Sequence, residues 1–95
     1  AADLGNLGAL YAETGQTSKA LAVYDQRLAI SREIGDRRGE ANSLWNKGLA
    51  LDRAGNRQDA IQYARAALEI FTMIQDPHIQ LVIDQITQWE YALQR

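Results

Sequence analysis

Two stretches forty residues apart decide how this chain reads: Leu4-Gly5-Asn6-Leu7-Gly8-Ala9-Leu10-Tyr11 and Leu44-Trp45-Asn46-Lys47-Gly48-Leu49-Ala50-Leu51. Each places Leu, Asn and Gly at the first, third and fifth positions. Aligning residues 1–36 with 41–76 gives ten identities in all, adding Ala1/Ala41, Gly15/Gly55, Ala20/Ala60, Leu28/Leu68, Ile30/Ile70, Ile34/Ile74 and Asp36/Asp76. Unrelated segments of that length share about two. A fixed period of this size signals a solenoid, in which each unit buries its apolar face only against its neighbours. Such folds commonly work by presenting a surface.

Outward from these stretches, periodicity and punctuation predict five helices and no strand, hence an all-α chain. The first spans about Ala2 to Thr14, with Leu4, Leu7, Gly8 and Tyr11 on one face and Gly15 as its stop. Thr17 or Ser18 is the expected cap of a second helix whose inward stripe is Ala20, Leu21, Tyr24, Leu28 and Ser31, continuing to Ile34. Gly35-Asp36-Arg37-Arg38-Gly39 reads as a loop. A third helix is expected from Glu40 to Ala54, ended by Gly55, and a fourth from Arg57 to about Gln75 with Ala60, Ile61, Ala64, Ala67, Leu68 and Phe71 inward. Asp76-Pro77 is a start signal, because Asp accepts from free amides and Pro fits a first turn at no hydrogen-bond cost. The fifth helix sets Ile79, Val82, Ile83, Ile86, Trp89 and Leu93 against Gln80, Asp84, Gln85, Gln88 and Gln94. That two-sided helix departs from the repeat and reads as a cap. The expected organisation is one domain over residues 1–95, with units at 1–36 and 37–76 and a capping helix at 77–95.

Within the first unit, Leu4-x-x-Leu7-Gly8-x-x-Tyr11 followed by Ala20-x-x-x-Tyr24 resembles the tetratricopeptide repeat, a helix hairpin that stacks into a right-handed α-solenoid. The second unit matches less closely, with Lys47 in place of a core Leu and Ala64 in place of an aromatic. These departures predict looser packing there, or a Lys stem lying on the surface with its ammonium in water. The period exceeds the usual length of about 34 residues, and six more residues lengthen the second helix by about 9 Å. Leu-x-Asn-x-Gly in the first helix and Ile34-Gly35-Asp36 after the second are similar to the kinesin light chain type. The second unit and cap look like the end of long bacterial arrays. This resemblance implies a non-catalytic, cytoplasmic protein-interaction scaffold, part of a larger bacterial protein, that binds a peptide or partner protein in a concave groove.

Helical geometry divides the first helix into two faces. At about 100° per residue, Leu4, Leu7 and Tyr11 face the second helix while Ala2, Gly5, Asn6, Ala9, Ala12 and Glu13 fall opposite. In the second unit the opposite set is Asn42, Trp45, Asn46, Leu49, Asp52 and Arg53. The resemblance places these faces in the shared groove, and Ala2, Asn6, Ala9, Glu13, Asn42, Trp45, Asn46, Leu49, Asp52 and Arg53 are its ten candidate partner-binding residues. Asn6 and Asn46 are equivalent, and an Asn amide can bond a peptide C=O and N–H together. The other reading of Asn46 is a bond to neighbouring helices or water. Exposed Trp is enriched at binding hot spots, which makes Trp45 a candidate for side-chain recognition; otherwise it packs between the second unit and the cap. A second functional class stays open, self-association of an apolar open end around Ala1, Leu4, Leu7 and Leu21 as a homodimer or with an upstream unit.

Other chemistries find little purchase. With no cysteine there is neither a disulfide nor a thiolate metal site, which fits a reducing compartment. Ten basic against 12 acidic residues, a net charge of −2, give no electrostatic reason for a nucleic-acid or membrane partner. His78 is the only histidine, and after Pro77 at a helix start it suits a surface or capping place better than proton transfer. No metal-ligand spacing appears, and no cofactor is expected. Gly5-Asn6-Leu7-Gly8 superficially resembles a phosphate loop, but its glycines lie within a helical pattern instead of between strand and helix.

Overall fold

Arg37 opens the third helix, three residues earlier than the glycine-flanked sequence predicts. The computed structural model describes residues 4–94 and contains α1 (Leu4–Glu13), α2 (Thr17–Ile34), α3 (Arg37–Arg53), α4 (Arg57–Met73) and α5 (Ile79–Leu93). The expected loop shrinks because Asp36 caps α3, its carboxylate accepting from the Gly39 amide at 2.9 Å. Gly39 is required there. A Cβ on it would meet Ser31 Oγ at 2.6 Å and overlap the Asp36 carboxylate. Glu40 then joins the turn to α2 through Arg32 (3.1 Å) and to its own helix through Arg37 (2.8 Å). At the start of α2 the expectation also fails: Gln16 stands at the cap position without a side-chain capping bond, its amide donating instead to Thr14 Oγ1 at 2.8 Å, and Thr17 is already helical.

Each helix packs on the next in chain order, and α1 also touches α3 across the inner side. The shortest dimension, 17 Å, leaves room for two helix layers roughly 10 Å apart and no third. One buried cluster joins Leu28, Ala41, Leu44, Ala67, Ile70, Phe71, Val82, Ile86 and Trp89, and a smaller one joins Ala20, Tyr24 and Ala50. Several inward expectations need correction. Val23 is buried while Ile34 is 70% exposed, Ile70 is buried where Leu68 is only partly so, and Ile83 and Leu93 are exposed on α5. The turns after α1 and α3 bend at Gly15 and Gly55 as expected, with φ of 77° and 88°.

The repeat positions Ala20 and Ala60 are both fully buried, and Gly8 and Gly48 are both buried between paired helices. How the pairs close differs. A Cβ on Gly8 would lie 2.5 Å from the Tyr24 ring, so the first pair is spaced by an aromatic lying on bare backbone. In the second pair Ala64 removes that ring, and a Cβ on Gly48 would sit 3.0 Å from the Ala60 carbonyl oxygen. Backbone lies close against backbone there, so the expected looser packing does not occur. Lys47 likewise departs from the expectation of a surface ammonium. Its side chain is 10% exposed, its Nζ donates to Asp25 at 2.5 Å, and it lies 4.2 Å from the centre of the Tyr63 ring. Burial is the largest single influence and works against this charge, but Asp25 and Tyr63 together outweigh it and the amine pKa stands above its ordinary value.

A second bridge mirrors that one with its signs reversed. Forty residues beyond Asp25, Arg65 of α4 pairs with Glu90 of α5. The connection into α5 is held by a buried carboxylate, for Asp76 accepts from Arg38 Nε at 2.7 Å and from the His78 amide at 2.9 Å. Its carboxylate is also 2.5 Å from His78 Nδ1, and that ring stacks on Phe71 with centroids 5.4 Å apart. The regular helix begins at Ile79, just after the Asp76-Pro77 start signal, and His78 takes the capping place.

The His78 amide, then the His78 ring and the Arg38 guanidinium, outweigh burial and hold the Asp76 carboxyl at about 2 against an ordinary value of 3.8. A carboxyl whose pKa is depressed by folding stabilises the fold above the unfolded value, and that stabilisation is lost as pH falls through the folded one. Denaturant midpoints should therefore decline between about pH 4 and pH 2. In Asp76→Asn that part of the decline should vanish. A variant retaining the full acid dependence would show that Asp76 does not carry it.

Candidate functional site

The inner faces of α1 and α3 meet around a cavity of about 100 Å³. Ala9, Ala12 and Glu13 of α1 form one wall, and Asn46, Leu49 and Arg53 of α3 form the other, with Ala50 and Tyr24 also lining it. The helix geometry explains the set. Ala9, Ala12 and Glu13 recur at three- and four-residue spacing on α1, as Asn46, Leu49 and Arg53 do on α3. Tyr24 reaches the site because Gly8 lets its ring lie across α1. Burial pushes its phenol pKa up, Arg27 and Arg53 pull it down, and Glu13 adds a smaller push upward.

Of the ten residues read from the sequence, Ala9, Glu13, Asn46, Leu49 and Arg53 converge on this cavity. Asn6 on α1 is exposed, and Asn42 on α3 is half-buried. Trp45 and Asp52 turn toward later elements. The Trp45 ring is partly buried against the core with its centroid 6.1 Å from that of Trp89, and Asp52 accepts from Arg57 Nε at 2.9 Å. Ala2 lies outside the described residues. Sequence reasoning missed Tyr24 as a cavity residue, although its signal was present: an aromatic four residues beyond Ala20, opposite a helical glycine.

The polar groups of this groove are unspent. Among the described residues the side chains of Asn42, Asn46 and Arg53 make no hydrogen bond or ion pair, in contrast to Asp52. A larger cavity of about 460 Å³ lies between α4 and α5, where Gln58, Gln62 and Gln94 surround the Arg65–Glu90 bridge. Arg65 and Glu90 there satisfy each other, and the Asp59 carboxylate that also lines the cavity accepts from Asn56 Nδ2 at 2.8 Å. Among the described residues no three His, Cys, Asp or Glu side chains are placed to hold a metal ion, and no helix is long and apolar enough to cross a membrane.

In the comparison with known families, residues 1–73 match the model described as "Tetratricopeptide repeat". No curated protein matches the chain, and no solved structure does.

Proposed function

Because the chain belongs to the tetratricopeptide repeat family, whose domains are generally protein-interaction modules, we propose that it binds an extended peptide segment of a partner protein between α1 and α3. The observation that supports this reading is the contrast in side-chain use just described. Asn46 and Arg53 border a cavity without an internal hydrogen bond or ion pair, while Asp52 on the same helix is paired with Arg57. The amide of Asn46 offers donors and an acceptor to a peptide bond, and Arg53 offers a fork of donors to a carboxylate or carbonyl. The methyl groups of Ala9 and Ala12 keep the opposite wall low enough for a backbone to approach.

The test is a partner captured by the protein, mapped to a minimal peptide, and titrated calorimetrically. Replacing Asn46 and Arg53 together with Ala removes one neutral and one charged hydrogen-bonding group, together about 2–4 kcal/mol, so affinity should fall at least roughly thirtyfold. Both residues sit on an open face, so the melting temperature should stay within a few degrees of wild type. Unchanged affinity in a folded variant would reject the groove.

A further inference from the structure

At two cavities of this molecule opposite charges pair with each other across helices. Lys47 of α3 donates to Asp25 of α2 beside a cavity of about 250 Å³, and Arg65 of α4 meets Glu90 of α5 beside the one of about 460 Å³. The α1/α3 cavity differs. Glu13 and Arg53 both line it, yet among the described residues neither makes a hydrogen bond or ion pair, with the other or elsewhere. Both still act on the Tyr24 phenol that lines the same cavity, Arg53 drawing its pKa down and Glu13 pushing it up. They are equivalent positions forty residues apart, with the sign reversed between units. An anion on α1 and a cation on α3 thus stand on the two walls of one groove, each without a partner.

Between those charges the cavity is small and its walls are largely aliphatic, supplied by Ala12, Leu49 and Ala50. Its volume of about 100 Å³ is that of three waters at ~30 Å³ each, and less than the ~150 Å³ that holds a benzene ring. One branched aliphatic side chain fits, and an aromatic one does not. We infer that the groove selects a peptide with a basic, a small aliphatic and an acidic side chain at alternate positions: the base meets Glu13, the aliphatic group enters the cavity, and the acid meets Arg53. This rests on the peptide groove proposed above and names what that groove reads. Alternate side chains of an extended strand share one face, and five residues set the outer two about 13 Å apart. That span bridges helices whose axes lie about 10 Å apart, and the long charged side chains take up the difference. A segment with two acids sets one of them against Glu13, and a segment with two bases sets one against Arg53. Each mismatch replaces an attraction by a repulsion.

The probes are end-blocked nonapeptides with Gly-Ser flanks and the centres Lys-Ala-Val-Ala-Glu, Glu-Ala-Val-Ala-Lys, Lys-Ala-Val-Ala-Lys and Glu-Ala-Val-Ala-Glu. Each is titrated against the isotope-labelled protein while amide NMR shifts are followed. One mixed order should bind at least tenfold more tightly than either like-charged peptide, with shifts centred on α1 and α3, and exchanging its Val for Trp should weaken it at least tenfold. In the double variant Glu13→Lys, Arg53→Glu the preference should pass to the other mixed order. Helical circular dichroism should not change, because both residues are exposed. Absence of saturable binding, equal affinity for mixed and like-charged peptides, tolerance of Trp, or an order that does not reverse in the folded double variant would each overturn the inference. If such charge-indifferent binding is still lost in Asn46→Ala, the groove reading stands and only its charge order falls. Shifts centred away from α1 and α3 would reject both.

Discussion

Phe71→Ala should lower the stability of the domain by about 3–5 kcal/mol, the usual cost of deleting a fully buried aromatic. Phe71 has no exposure, shares a cluster with Leu44, Ala67, Val82 and Ile86, and carries the His78 ring on its face. Three helices therefore lose packing at once, and a cavity at such a junction cannot be closed by moving one of them. A domain of this size commonly has about 5–15 kcal/mol in total, so this single change removes a large fraction. Thermal unfolding followed by helical circular dichroism should shift down by more than about 12 °C. A shift of only a few degrees would mean that α5 settles into the vacated space and that the junction is softer than its burial implies.

Trp89→Ala should have an effect of similar size but confined to one end of the molecule. Trp89 is 4% exposed and holds α5 against α4 while its ring meets Trp45 at 6.1 Å. In a stack stabilised by neighbour contacts, loss of a terminal contact detaches the terminal element first. Amides of α5 should lose most of their hydrogen-exchange protection, whereas those of α2 and α3 should keep theirs. The remaining tryptophan, Trp45, should become more water-exposed and shift its fluorescence to longer wavelength. Uniform loss of protection along the chain would instead show that the helices unfold as one unit.

Much of the fold was legible because repeated positions carry one physical task. Ala20 and Ala60 are the small residues at crowded crossings, Gly15 and Gly55 supply positive φ, and Asp36 and Asp76 both accept backbone amides at helix starts. What escaped the repeat depended on residues that compensate one another at other separations. Lys47 is tolerable only because Asp25 and Tyr63 close around it, and neither lies at an offset of forty. Gly39 read as a helix breaker, yet it is the one residue that fits between Ser31 and the Asp36 carboxylate. Gln75 takes a φ of 54° where the first unit has Gly35, so a turn persists there without its sequence signal.

The same division runs through the candidate groove. Ala9, Glu13, Asn46, Leu49 and Arg53 follow from angular position on a helix, which depends on the helix alone. Trp45 and Asp52 lie at the margin of that arc, where the outcome is set by α5 and Arg57. An angular argument carries no information about those later neighbours.

The paired bridges with opposite signs also bear on how the stack avoids assembling wrongly. If α5 settled on α2, Glu90 would confront Asp25; if α3 settled on α4 at the place of α5, Lys47 would confront Arg65. Each mistaken neighbour meets a like charge, and each correct one an opposite charge. For exposed pairs the difference is modest, about 1 kcal/mol per contact, and it adds to the differences in apolar packing that also tell one berth from another. The chain order of its modules is thus written a second time, as an electrostatic key.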